Sequence, residues 1–481
     1  MVRAGCYYVN LQGCATRSVN SHNQSVLDDN RIGRLLLKLS VPAFFGMFVT
    51  TLYNVVDTVF IGRYVGPLGI AGLSIVFPLQ MLSMGIGQMM GMGGASLISR
   101  LIGANNASRA EHALGNAMTS VVALSAMITI AGLVDVEVWL RLMGSSETIL
   151  PYARDYMSII LSGLIFPTSA MALNSLVRAE GNARAAMTGM IIGAVSNIIL
   201  DAIFIIPLEM GIRGAALATV IAQMISAGYL VRYYASGKSY LRIRSRNLML
   251  ELGILKAILA IGIASLARTI AGSLSVLLIN RALVVYGGDL AVSAFGVINR
   301  ILMFAIMPGI VIGQGLQPIL GFNYGAGHYG RTLTAIKIAI AAATSCCIGV
   351  FLVLYFVPEP FIRVFTTDNE LIALGSYAAR RVFLGLYLIG FIMVGSLVFQ
   401  SIGKAIQSFI TAISRPLLFL IPLIFILPRF LRLDGVWLAF PIADGLTFVL
   451  MLALLIPQLR ELRIGYLSGE QGRLARQRDV A

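Results

Sequence analysis

Stretches of roughly 20 apolar residues, the length a helix needs to cross a hydrocarbon layer about 30 Å thick, recur with short breaks from residue 36 to residue 457. No water-soluble core absorbs so much apolar side chain. Of the 481 residues 58% are hydrophobic and 12% charged, and mean hydropathy is +0.86. The chain is therefore expected to be an all-α polytopic membrane protein with twelve spans. These are drawn at 36–62, 70–99, 111–134, 152–177, 184–206 and 212–234, then at 252–282, 290–322, 332–357, 371–400, 405–427 and 435–457. The abundant glycine, 49 residues, suits close helix packing in lipid.

The formal charge of +15 follows membrane orientation rather than nucleic-acid binding. Arg31, Arg34, Lys38, Arg100, Arg109, Arg178, Arg184, the run from Arg232 to Lys256, Arg331, Lys337, Lys404 and the tail from Arg460 to Arg478 all fall at one end of the spans. Asp135, Glu137, Glu147, Glu209, Asp289, Glu359, Asp368, Glu370 and Asp434 occupy the other end. Basic loops mark the cytoplasm, so both termini are expected inside a plasma (inner) membrane. Residues 1–30 lack an apolar signal-peptide core and read as a disordered cytoplasmic extension. The four cysteines, Cys6, Cys14, Cys346 and Cys347, suggest no disulfide or metal framework.

The chain repeats itself. Gly87, Gly91, Gly93, Gly103, Ala104 and Arg109 match Gly309, Gly313, Gly315, Gly325, Ala326 and Arg331 at a constant offset of 222, which still holds at Gly181 and Gly403. The offset becomes 221 at Gly214/Gly435, Ala218/Ala439 and Ala222/Ala443. Six spans per repeat is an even number, so the two halves are parallel repeats about an axis along the membrane normal. The expected organisation is an N-lobe over 31–234, a basic cytoplasmic linker over 235–251, a C-lobe over 252–457 and a basic cytoplasmic tail over 458–481. A central cleft lies between the lobes, and rocking them gives alternating access.

Acidic groups inside spans are expensive and mark ion or proton paths by default. Asp57 in span 1 and Asp201 in span 5 lie about 7 to 8 Å below the outer boundary, and Thr219 in span 6 about 10 Å, at 1.5 Å per residue. Tyr53 and Asn197 each precede an aspartate by four residues and share its helix face. Two carboxylates with amide, hydroxyl and phenol neighbours in a low dielectric suit a proton or a sodium ion; structural hydrogen bonding is the competing reading. The offset carries Asp57 to Ile279, Asp201 to Leu423 and Thr219 to Phe440, so the set belongs to the first half alone. In the second half Asp444 and Arg300 are a candidate salt bridge. Met84, Gln88 and Met89 in span 2 are candidate substrate contacts, with ordinary packing as the alternative. Pro42 is the candidate bend in span 1.

The segments NVVDTVFIG (54–62), SNIILDAIFI around Asn197 and Asp201, GIRGAALAT ending at Thr219, RAEGNARAA after span 4 and QPILGFNYGAG (317–327) resemble the MATE multidrug exporters, over about residues 31–460. The resemblance implies a twelve-helix, two-lobe antiporter, with no cofactor, that expels cationic or amphipathic compounds in exchange for protons or sodium and works as a monomer. It further implies a DinF-type N-lobe ion site at Asp57, Asn197, Asp201 and Thr219, with Tyr53 in a proton-linked network and Pro42 at a helix bend. The NorM-type branch uses acids in spans 7 and 10, whereas this chain has no Asp or Glu at 252–282 or 371–400 and looks more like the MepA type there. An enzyme is disfavoured: His22, His112 and His328 form no catalytic motif. The closer alternative is a lipid-linked oligosaccharide flippase, for which Arg63, Arg281 and Arg300 are the candidate pyrophosphate contacts.

Overall fold

The computed structural model describes residues 27–29 and 31–478, with side chains through residue 468; among these there is no strand. The spans are α1 (Ile32–Tyr64), α2 (Pro67–Gly103), α3 (Ala107–Val134), a broken α4, α5 (Ala183–Ile205) and α6 (Gly211–Ala235). The halves of α4, Leu150–Ser162 and Ile165–Ala179, meet at 52°. The helix Leu252–Gly325 is 74 residues long, about 110 Å at 1.5 Å per residue and far more than one bilayer crossing. It turns back at Gly288, where φ is 65° and ψ −167°, into α7 (252–287) and α8 (289–325). Then come α9 (Tyr329–Phe356) and α10 (Asn369–Ile402). The last apolar helix reverses at Arg432 (φ 49°, ψ −129°) into α11 (405–431) and α12 (433–468). Gly435 there lies hard against the Leu427–Pro428 backbone. Among the described residues nine helices are long and apolar enough to cross a membrane, or ten with α4 taken whole; the two that double back make twelve spans.

Apolar packing divides the molecule unevenly along the membrane normal. At the basic end one core joins both halves, with Ile98 and Ile102 of α2 packed among Leu316, Ile319 and Leu320 of α8 and Val398 of α10. At the acidic end each half has its own core, around Trp437 and Phe383 in the C-lobe and around Tyr156 and Leu161 in the N-lobe. Polar contacts between the lobes repeat this division. Ser96 Oγ donates to the Gln400 carbonyl at 2.5 Å, and Gln317 Nε2 to the Met92 carbonyl at 3.5 Å. The lobes are thus closed on one another at the basic end and carry separate cores at the acidic end.

The duplicated glycines explain how the basic end closes. A Cβ on Gly103 would run into the Phe322 carbonyl, and one on Gly325 into the Arg100 carbonyl. Shifting the first contact by the offset of 222 produces the second. Gly93 against Ile258 and Gly315 against Ser40 are a similar related pair at the α2/α7 and α8/α1 crossings. Each lobe also carries an apolar groove at matching repeat positions. One, of about 340 Å³, includes Met118, Val122, Phe166 and Ala227; the other, of about 400 Å³, includes Ile340, Thr344, Leu388 and Phe448.

Most of the expected N-terminal extension lies outside the described residues, but its last part is built into the fold. Leu27 is 1% exposed and packs over Gly181 of the N-lobe, whose φ of 85° leaves the backbone bare. Arg331 of the C-lobe donates to the carbonyls of Leu27 (3.3 Å), Asp28 (3.2 Å) and Asp29 (2.8 Å). Residues 27–29 therefore clasp both lobes at the closed end.

The linker is strapped to the N-lobe. Ser239 Oγ donates to Glu180 Oε2 at 2.5 Å, and the Tyr240 N–H to the same oxygen at 3.2 Å. Asn116 accepts from the Glu251 N–H at 2.7 Å and donates to the Met249 carbonyl at 3.1 Å. Burial at the end of α4 pushes the Glu180 carboxyl up to about 8, against the hydrogen bonds from Ser239 and Tyr240 that favour its charged form. The native state then keeps a proton that the unfolded chain releases above its ordinary value of 4.5. Stability supplied by this group is accordingly full below that value and declines as pH rises towards 8. The melting temperature of wild type is expected to fall across this window relative to Glu180→Gln, measured in detergent at matched ionic strength; parallel curves would refute the assignment.

Candidate functional site

In the acidic-end half of the N-lobe, α1, α5 and α6 converge on a buried polar cluster. The i, i+4 spacing puts Asn197 and Asp201 on the face of α5 that packs on α1 and α6, where they are 1% and 0% exposed. Asp57 of α1 is 9% exposed and its carboxyl lies near that of Asp201. Thr219 of α6 joins through its Oγ1, 3.5 Å from Asn197 Nδ2. Tyr53, one turn before Asp57, lies near Gln223 of α6 and both carboxylates. The five residues expected from the sequence are therefore brought together.

What distinguishes the cluster is its unmatched acceptors. Asp57 Oδ1, both Asp201 oxygens and Asn197 Oδ1 are buried with no hydrogen-bond partner. Such orphaned acceptors, three of them on two like-charged groups, are costly unless a proton or cation bridges them. Two carboxylates, an amide oxygen and a hydroxyl form a hard, all-oxygen donor set suited to a monovalent ion; no group of three or more His, Cys, Asp and Glu placed to hold a metal ion occurs among the described residues.

Three participants were not picked out from the sequence. Gln80 of α2 donates to Tyr156 Oη at 2.9 Å, and Tyr156, on the first half of α4, lies near Asp57. Gln223 follows Thr219 by four residues and faces Tyr53. Polar side chains in otherwise apolar spans were the available signal, but the depth of Tyr156 depends on the break in α4.

The C-lobe departs from expectation. Asp444 of α12 pairs with Arg415 of α11, Nε to Oδ1 2.5 Å, and not with Arg300, which sits on an exposed face of α8. The reason is adjacency: α11 and α12 are consecutive antiparallel spans, and Arg415 projects from a π-helical turn, Ser414–Leu420, beside Asp444. Removing one member leaves a buried charge uncompensated, typically at a cost of about 3 to 5 kcal/mol. Asp444→Leu is expected to lower thermal stability on that scale, and Asp444→Leu with Arg415→Leu to recover most of it. Equal melting of single and double variants would show that the pair is not coupled.

The span 2 candidates separate by face. Met84 is exposed and Gln88 half-buried, whereas Met89 is sealed in the shared basic-end core against Gly262 of α7 and is closed to substrate in this conformation. Pro42 lies inside α1 beside Ala43, which packs on Met307 and Val311 of α8. One turn on, Gly46 packs on Met190 of α5. The proline thus marks where α1 passes from C-lobe to N-lobe contacts.

Comparison with known proteins agrees with this architecture. The family model MatE matches residues 42–203 and 261–426. The multidrug export protein MepA of Staphylococcus haemolyticus is 25% identical over 421 residues, 87% of this chain and 92% of MepA; that of Staphylococcus aureus is 24% identical over 415 residues, 86% and 91%. The MATE multidrug transporter DinF-BH, solved as a ligand complex, is 41% identical, covers 90% of this chain and 96% of its own, and superposes with a TM-score of 0.83. An outward-facing multidrug resistance MATE transporter of the MOP superfamily superposes with a TM-score of 0.87 at 26% identity, covering 93% of this chain and 99% of its own. With the match extending through both lobes, the chain belongs to the MATE family of non-enzymatic, multi-pass multidrug efflux transporters.

Proposed function

We propose that this protein is an antiporter that exports cationic or amphipathic compounds by alternating access, driven by protons or sodium entering through Asp57 and Asp201. The observation that carries the reading is the set of buried acceptors on Asp57, Asp201 and Asn197 without partners. With the basic end in the cytoplasm, the separate cores at the acidic end correspond to an outward-open cleft. Asp57, Asp201, Asn197 and Thr219 would hold a sodium ion; in the proton-coupled case the two carboxyls carry the proton and Tyr53 extends the network. An ion that draws α1 and α5 together shrinks the N-lobe space, and Pro42 is placed where α1 has to flex.

Coupling demands that drug and ion oppose each other, each weakening the other by the same factor. The test is ethidium binding to purified protein, titrated at several pH values and sodium concentrations, together with ethidium efflux from proteoliposomes under imposed gradients. Ethidium affinity that falls with the coupling ion, and efflux that follows its gradient, support antiport. Affinity independent of both ions, with no gradient-driven efflux, overturns it and directs attention to lipid-linked substrates.

A further inference from the structure

In the N-lobe spans Asp57 and Asp201 form no ion pair among the described residues. In the C-lobe spans Arg415 pairs with Asp444, Arg281 and Arg300 are exposed, and Arg268 of α7 is half-buried. Its guanidinium donates to Ser396 Oγ of α10 at 2.9 Å and has no carboxylate partner among the described residues. Ser396 in turn meets Thr411 of α11 at 3.2 Å, and Gln400 Nε2 donates to Ser265 Oγ at 2.9 Å, one turn before Arg268. The C-lobe lining here is therefore polar, cationic and free of acid.

Arg268 also sits at an informative level. At the same turn of α7, Leu266 and Thr269 meet Gly85 of α2. Just beyond this crossing Leu82 and Met84 on α2, and Ile270 and Leu274 on α7, are exposed. Arg268 thus lies at the level where the joined basic-end core gives way to separate lobes. It is half-buried, and none of its nitrogens is both buried and without a partner. A guanidinium has five N–H donors and matches a carboxylate in a two-pronged geometry. Holding such a cation within a span without an acid is unfavourable unless something else supplies the negative charge.

We propose that Arg268, at the floor of the cleft, is the group that recognises the carboxylate of those amphipathic substrates that carry one, zwitterions included. The inference rests on the export reading for its context and narrows the substrate class of that cleft, but it concerns binding, which needs no ion gradient.

The test is fluorescence polarization with purified full-length protein and two rhodamine dyes, an ethyl ester and its free acid, which share a cationic ring system and differ by one carboxylate. Arg268→Gln is expected to weaken binding of the acid about tenfold, as for loss of a charge-assisted hydrogen bond, and to leave the ester within about twofold; Arg268→Lys should retain much of the acid affinity. As an arm independent of variants, an alkyl carboxylate should displace the acid from wild type where an alcohol of equal chain length does not. Equal weakening of both dyes would assign Arg268 a structural role and overturn the proposal, as would unchanged acid binding in Arg268→Gln or equal displacement by alcohol and carboxylate. Failure of gradient-driven efflux alongside selective acid binding would instead count against the antiport reading and leave this one standing.

Discussion

Asp201→Asn is expected to abolish uphill ethidium export, reducing the accumulation ratio in proteoliposomes under an imposed proton or sodium gradient to that of a passive leak. Asp201 is fully buried, and neither carboxylate oxygen has a hydrogen-bond donor. An amide of nearly the same shape preserves packing on α1 and α6 but neither titrates nor offers a charge to sodium. Coupling free energies are typically 1 to 3 kcal/mol, so its loss removes up to about a 100-fold effect of the ion on drug affinity. Ethidium binding itself should survive. Asp57→Asn should behave alike, because the two carboxyls lie close together in one buried cluster. Asn197→Ala and Thr219→Ala distinguish the ions: removing neutral oxygen ligands should disable sodium-driven export strongly and proton-driven export weakly. Wild-type uphill export by Asp201→Asn under either gradient would remove this residue from the coupling mechanism.

The sequence revealed those features that depend on spacing within one helix or on composition over one bilayer thickness. Twelve spans were legible because hydrocarbon demands about 20 apolar residues at each crossing, and even the reversals at Gly288 and Arg432 fell in gaps between them. Asn197 and Asp201 were legible as a pair because four residues make one helical turn. Relations between helices were less accessible. Asp444 was matched with Arg300 as an in-span charge of opposite sign, whereas Arg415 is its partner because α11 and α12 are neighbours. Met89 was grouped with Met84 by residue type, whereas five positions along a helix turn the side chain by more than a full circle and bring it against α7. Leu27 belongs to a polar leader by composition, yet the bare backbone of Gly181 receives it and Arg331 ties it down. The glycines were read as signs of duplication; their physical purpose, backbone contact between the lobes, appeared only when the halves faced each other.

That purpose yields the second large effect. Gly103→Val is expected to prevent closure of the basic end, because its Cβ would occupy the space of the Phe322 carbonyl and backbone cannot swing aside as a flexible side chain does. Overpacking in a well-packed core costs about 1 to 3 kcal/mol, enough to move a two-state equilibrium between closed and open basic ends by roughly 10- to 100-fold. Spin labels at Ser108 on α3 and Thr334 on α9, both exposed, should report a longer distance in Gly103→Val than in wild type, and export should fall with the lost closed population. Gly228→Ala is the control, since its added Cβ meets nothing within 4 Å. Gly325→Val, related by the repeat, should act alike through the Arg100 carbonyl. Both clashes open the same crossing, so the double variant should be far from additive, the first substitution having already removed the contact that the second would break. Additive losses would mean that the two contacts are independent and that the basic end does not close as one unit.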